Sequence, residues 1–236
     1  MLKNDLHIHS ISSGHAYSTI SEILKYASEN NMDVIAITDH GPSMEGAPHA
    51  GYFENMVRLP KEIEGVLFLK SCEANILNTE GDIDISFDIQ EKLDFVMAGI
   101  HNRTSYPRNN NPRENTSAII NAIHKNKIKV ISHPVRPEFP VIIGEVVEAC
   151  AKNHVAMEIN LDTLKVNQAN NEFLSATKEL LKETVKHNGV LIISSDAHFI
   201  TEVGDDSILT KIKIELPSEN LLLTEEQIIR FIQSGN

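Results

Sequence analysis

The chain is poor in cysteine and rich in charge of one sign. It has two cysteines and no tryptophan in 236 residues, and 21 basic against 33 acidic side chains give a formal net charge of −12. Cys72 and Cys150 are far apart and belong to no C-x-x-C pair. That excludes a disulfide framework and a thiolate zinc site. The acidic balance argues against nucleic acid as a partner, because phosphates need Lys and Arg. No apolar run is long enough to span a bilayer, so no membrane partner is expected. The segment Met1-Leu2-Lys3-Asn4 leads straight into a strand without a charged leader or cleavage site, which gives a cytoplasmic expectation. A G-x-S-x-G elbow, a P-loop and a G-x-G-x-x-G turn are all missing.

What the sequence does have is alternation. Short apolar runs predict strands at Lys3–His9, Asp33–Thr38, Val66–Glu73, Phe95–Ile100, Lys129–Ser132, Ala156–Asn160 and Val190–Ser195. Several, such as Val34-Ile35-Ala36-Ile37, are apolar on both faces, as in a parallel strand covered on both sides. Amphipathic helices are expected at Thr19–Asn30, Glu114–Lys125, Ile143–Lys152, Asn171–Asn188 and Glu225–Ser234. Seven β-then-α units in one domain, residues 1–236, favour an α/β barrel, with a doubly wound sheet as the competitor. Two long connections, 41–60 and 102–113, are expected to be functional or mobile.

The chain also has histidine: eleven, against eight Phe and four Tyr. They gather where strands are predicted to end. Strand one carries His7 and His9, with His15 in the loop after it, and strand two ends in Asp39-His40. Strand three ends in Glu73, strand four in His101, strand five in His133, and strand seven in Asp196-Ala197-His198. The C-terminal ends of parallel barrel strands meet at one mouth, where active sites of such folds lie. Side chains at i and i+2 share a face, so Asp5, His7 and His9 are expected to project into one interior. Burying so many titratable groups unpaired is costly, and a metal resolves the cost. Seven imidazoles and two carboxylates suit Zn²⁺, Mn²⁺, Fe²⁺ or Co²⁺. They exceed the three protein ligands of one catalytic zinc and match two or three ions if a carboxylate bridges. Three divalent ions would bring −12 to about −6.

The segments Asp5-Leu6-His7-Ile8-His9-Ser10, Thr38-Asp39-His40, Glu73, Gly99-Ile100-His101, Ser132-His133-Pro134 and Ser195-Asp196-Ala197-His198 resemble, in order, the motifs of the PHP (polymerase and histidinol phosphatase) family. Length and spacing are most similar to its small stand-alone phosphatase branch. The resemblance implies a distorted (β/α)₇ TIM-like barrel holding three metals, commonly zinc. It implies that His7, His9, Glu73 and Asp196 hold one ion. Glu73 would bridge to a second, completed by His101 and His133, and His15, His40 and His198 would hold the third. After His133-Pro134 the branch is expected to carry small residues, whereas this chain has Val135-Arg136, a departure that bears on substrate preference.

The chemistry expected is hydrolysis of a small phosphorylated substrate by a metal-bridging hydroxide, with no protein nucleophile. Asp5 and Asp39 are candidates to accept the free N–H of a ligating histidine. Arg103 and Arg136 follow ligands closely and are candidates for phosphate contact. The Gly- and Pro-rich loop 41–49 follows His40 and is a candidate lid, with His49 reaching the substrate. Asp82-Ile83-Asp84 is expected to solvate a loop. His124, His154 and His187 lie near predicted helix C-termini and are assigned no function. The competing readings are a phosphatase dedicated to histidinol phosphate, a metal-dependent amide or ester hydrolase, and a non-catalytic metal-binding module. A homo-oligomer is expected only by analogy with the family.

Overall fold

The computed structural model describes residues 1–212 and 214–234. In chain order the elements are β1 (Asn4–Ile8), α1 (Ile20–Glu29), β2 (Val34–Ile37), α2 (Ala50–Asn55), β3 (Glu62–Ile63), β4 (Val66–Lys70), β5 (Glu73–Asn75), α3 (Phe87–Gln90), β6 (Val96–Gly99) and α4 (Pro112–Lys125). There follow β7 (Ile128–Ile131), α5 (Ile143–Lys152), β8 (Ala156–Asn160), α6 (Leu161–Asn167), α7 (Asn171–His187), β9 (Val190–Ser194), α8 (Ser207–Lys211) and α9 (Glu225–Gln233).

Two sheets, β1-β2-β4-β3 and β5-β6-β7-β8-β9, close into one ring. At one seam His40 bridges Glu73 in parallel, and at the other Ile8 bridges Ala197. The His9 N–H donates to the Ala197 carbonyl (2.8 Å) across the second seam. β4 pairs with β2, while β5 pairs with β6. Between them the Cys72 carbonyl accepts from the Met97 N–H (3.0 Å). β4 and β5 are thus two halves of one barrel strand that was expected to run unbroken. Counted so, seven parallel strands make a distorted (β/α)₇ barrel, and the open doubly wound alternative falls away. β3 is a short antiparallel addition on β4. Its turn, Glu64-Gly65, has φ of 52° and 80°, the left-handed pair that a tight two-residue hairpin turn requires.

Alternation along the strands sorts two cores. Val34, Ala36, Leu69, Met97, Val130, Ala156 and Ile192 fill the barrel's lower interior, where Ile228 of α9 plugs the floor. Ile35, Ile37, Phe68, Val96 and Ile131 face the helical layer, with Ile23, Leu24 and Ala27 of α1 among their partners. α1 starts at a capping box, with the Thr19 N–H donating to Glu22 (2.7 Å). The five long helices fall where helical periodicity places them. α2, α3, α6 and α8 lie in stretches read as loops, and at four to seven residues each they are too short to show a period.

Candidate metal centre

β1 carries one extra residue relative to β2. Asp5 is level with Ile35 and Ile8 with Ile37, so three steps on one strand match two on the other. This bulge breaks the alternation and re-aims side chains, as bulges near sites do. His7 and His9 end up inside. Asp5 does not, and its expected projection with them is corrected: it shares the outward face of Ile35. Its carboxylate accepts from Ser195 N (3.0 Å), Ser195 Oγ (2.5 Å) and Gly204 N (2.8 Å). Asp5 therefore fixes the backbone just ahead of Asp196 and touches no imidazole.

Glu73, the first residue of β5, is fully buried at the centre of the mouth. Its Oε1 lies 3.0 Å from His101 Nε2 and 2.9 Å from His133 Nε2. Its Oε2 lies 2.9 Å from His40 Nδ1, 3.3 Å from His7 Nε2 and 3.5 Å from His9 Nε2. Asp196 Oδ1 approaches His9 (3.1 Å), His7 (3.4 Å) and His198 (3.7 Å). His15 stacks between His40 and His198, with ring centroids 5.1 and 5.0 Å apart. The nine residues expected at the strand ends thus converge. Within the cluster His7–His9–Asp196, His40–Glu73–His101 and His9–His40–His198 each bring three donor atoms within 4.8 Å of one another.

Hydrogen bonding alone does not satisfy this set. His7 Nε2 and His9 Nε2 face each other at 3.0 Å, as do His101 and His133 Nε2 at 3.1 Å. Buried His40 Nδ1 and Glu73 Oε2, although 2.9 Å apart, do not meet in hydrogen-bond geometry, and neither has another partner. Buried polar atoms are normally paired, and lone pairs converging on one another are what a cation satisfies. The donor set fits divalent metal. Burial holds the His101 imidazole down at about 3, with the Glu73 carboxylate opposing. Burial, then the neighbouring His40, also depresses His9 and His15. Burial lowers His7 too, but the carboxylates of Asp196, Glu158 and Glu73 outweigh it and hold His7 well above its ordinary value. Burial raises Glu73 and Asp196, yet the surrounding imidazoles keep both well below the usual carboxylate range. Ionised Glu73 and Asp196 and neutral His9, His15 and His101 are in the forms that bind metal.

A layer of partners orients these donors. Glu158, on β8, accepts from His7 Nδ1 (2.8 Å) and from the His133 backbone N–H (2.7 Å). His133 and Asp196 hold left-handed backbone conformations, φ 29° and 57°, that non-glycine residues keep only under firm restraint. Asn160 donates to both Glu158 (3.1 Å) and Asp196 (3.0 Å). Asp39 accepts from Ser10 N and Oγ, Ser13 Oγ and Tyr52 Oη, all at 2.6–2.7 Å. Ser13 Oγ in turn meets His9 Nδ1 (3.0 Å). Asp39 therefore orients a histidine through Ser13, one group further out than expected.

Glu158, Asn160 and Tyr52 are not among the candidates that the sequence offers. For the first two a signal existed: a carboxylate and an amide at i and i+2 in the otherwise apolar Ala156–Asn160 run. Asp84 also corrects an expectation. Far from solvating a loop, it is largely enclosed and accepts from Asn75 N (2.8 Å), Asn75 Nδ2 (2.6 Å) and Ser43 N (2.8 Å). A Cβ on Gly41 would lie 2.2 Å from its Oδ1, so glycine is required there. Asp84 and Tyr52 pin the 41–60 segment, which carries α2 and is no free lid.

Above the donors opens a cleft of about 320 Å³, bordered by Arg103, Arg136, Asp162 and Thr163. Arg103 is exposed, with φ 65°. Arg136 is half-buried, with Nη1 3.4 Å from the Ile100 carbonyl and Nε 3.7 Å from Glu138. His49 is not brought to the cleft. It precedes α2, is exposed, and its ring folds back over Gly51.

Comparison with known proteins agrees with this architecture. A probable phosphatase of Shewanella piezotolerans is 39% identical over 220 residues, covering 92% of this chain and 87% of that protein. Another, from Clostridium novyi, is 34% identical over 233 residues, covering 98% and 94%. The crystal structure of histidinol phosphate phosphatase from Lactococcus lactis, complexed with zinc, L-histidinol and phosphate, superposes with a TM-score of 0.61. It covers 92% of this chain and 96% of its own at 17% identity, a likeness of fold. The PHP domain profile matches residues 5–192, and the chain belongs to the PHP domain family.

Proposed function

We propose that this chain is a metal-dependent phosphatase acting on a small phosphorylated molecule. One observation carries the reading: a single buried carboxylate, Glu73, lies within 3.5 Å of five imidazoles at the barrel mouth. His7, His9, Glu73 and Asp196 would hold one divalent ion. Glu73, with His101 and His133, would hold a second, and His15, His40 and His198 would hold a third. Zinc is the expected metal, and manganese, iron or cobalt suit the same donors. Ions bound there supply an activated water at neutral pH and offset the charge on the phosphoryl oxygens.

The chain's own groups set the geometry. Glu158 accepts a hydrogen bond from the Nδ1–H of His7 and leaves Nε2 free toward the centre. Ser13, held by Asp39, does the same for His9. Arg103 and Arg136 border the cleft, where a guanidinium can bind two phosphate oxygens at once. The two relatives named probable phosphatases support the reaction class. Two free, buried thiols suit a reducing compartment, and we place the enzyme in the cytoplasm.

The test is metal content per chain together with p-nitrophenyl phosphate turnover, for wild type and His101→Ala. The expected result is near three ions and turnover that collapses in the variant. A fully loaded wild type that hydrolyses no phosphate ester overturns the reading. Turnover far higher on histidinol phosphate than on generic esters would narrow it to that substrate.

A further inference from the structure

A second cavity, of about 210 Å³, adjoins the catalytic cleft. Pro134, Val135, Pro140 and Val141 of the segment after β7 form one wall, and Phe173 and Ala176 of α7 form the other. Phe173 is buried. The two spaces share a boundary residue, Arg136, whose side chain lines both. Pro134 also follows His133 directly, so the cavity wall is continuous with a residue of the metal centre. The guanidinium is steadied by the Ile100 carbonyl (3.4 Å) and by the Phe139 ring (5.8 Å). It thus stands where a phosphate in the cleft would meet whatever the phosphate is esterified to.

We infer that this cavity receives the leaving group, and that the preferred substrates are phosphate monoesters of alcohols bearing an aryl or similarly compact apolar group. The inference rests on the phosphatase reading and names its substrate class. A sugar or polyol would set most of its hydroxyls against proline, valine and phenylalanine, with only Arg136, Asn170 and Glu172 to pair with them. A cavity of about 150 Å³ holds a benzene ring, so the space here suffices for one. The reaction balances as an ordinary hydrolysis: water adds to phosphorus, the P–O bond to the alcohol breaks, and the alcohol leaves with a proton.

The experiment compares kcat/KM for 2-phenylethyl phosphate and ethyl phosphate with metal-loaded enzyme. Both leaving groups are primary alcohols, so the difference reads the cavity more than the chemistry. Each buried methylene is worth about fourfold, so the phenyl ester should be favoured by at least about tenfold. Ala176→Phe and Ala176→Leu, which fill the cavity from α7, should bring that ratio toward one. A wild-type ratio near one, or a ratio that survives both substitutions, overturns the inference. Calorimetric binding of 2-phenylethylphosphonate and ethylphosphonate reads the same preference without turnover. If neither ester is hydrolysed but the phenyl phosphonate binds more tightly, the cavity assignment stands and the phosphatase reading falls. Equal affinities for the two phosphonates overturn the cavity assignment whatever the turnover.

Discussion

The two ends of this barrel solve opposite problems with the same strands. At the floor, Leu6, Val34, Leu69, Met97, Val130 and Ile192 pack on one another and on Ile228 of α9. Their burial is favourable in itself, at about 1.5–3 kcal/mol for each large side chain. At the mouth the interior positions go to His7, His9, Glu73, His101, His133 and Glu158, all under a tenth exposed. Their burial is unfavourable until something satisfies them. The floor holds the ring together, and the mouth exploits that rigidity to keep charges where water would otherwise solvate them.

The largest effect that would break this contrast is at its centre. Glu73→Gln removes the carboxylate that five imidazoles share, and turnover should fall by about 10³-fold or more, beyond the 10–100-fold typical of an outer partner. Stability should fall as well. With metal chelated, the variant should unfold more easily than the wild type, because the imidazoles that hold Glu73 ionised, His7 among them, lose their buried counter-charge. Thermal unfolding with and without chelator reads this directly. A chelated variant as stable as the chelated wild type would mean that the imidazoles do not stabilise the Glu73 charge without metal.

Ile228→Ala is the matching cut at the floor. Ile228 is 1% exposed and seals the lower interior. Its truncation should cost about 2–5 kcal/mol of unfolding free energy. Metal content and kcat at low temperature should remain near wild type, since the mouth lies at the other end of the strands. Denaturant unfolding beside metal analysis tests the separation. Loss of metal in the folded variant would show that the two ends are coupled.

The same contrast explains what could be read from the sequence. Floor residues obey period two, and the histidines and carboxylates that converge at the mouth sit at or just after strand ends, so the barrel and that convergence were legible. The β1 bulge was not, because one inserted residue leaves no trace in hydrophobicity, and strict alternation wrongly placed Asp5 beside His7. The break at Ser71-Cys72 was hidden for a similar reason: Val66–Glu73 reads as one apolar run while its partner changes from β2 to β6. Glu158 was visible as a charge inside an apolar strand but lies mid-strand, away from the strand ends where ligands were sought. Tyr52 reaches Asp39 from the short helix α2, thirteen residues on, and no spacing rule points to it.

Glu158→Gln sharpens the comparison at intermediate size. The amide keeps the shape but can turn its NH₂ toward His7 Nδ1, which favours the wrong tautomer. Metal affinity should weaken by about 10–100-fold, as for other partners of metal-binding imidazoles. Competition with a chromophoric chelator measures it. Excess metal should restore turnover in this variant and not in Glu73→Gln, which separates a residue that orients from one that binds.

The smallest expected effect comes from an ion pair at the rim, which serves as the control for buried mouth charges. Asp205 meets Lys165 of α6 at 2.9 Å, and this bond, with backbone help from Ser207, holds its carboxyl at about 2. A carboxylate depressed below its unfolded value stabilises the fold above pH about 4 and loses that contribution as pH falls toward 2. Asp205 is 35% exposed, so solvent screening leaves about 0.5–1 kcal/mol. Asp205→Asn should therefore be slightly less stable than wild type from pH 7 down to about 4, and the gap should close toward pH 2. Denaturant unfolding at three pH values, each with chelator present, gives the profile. Because this pair owes nothing to metal, chelation should leave the gap unchanged at pH 7. A gap that appears only in the metal-loaded protein would move Asp205 from the rim into the support of the centre, through the adjoining Gly204 N–H that Asp5 accepts.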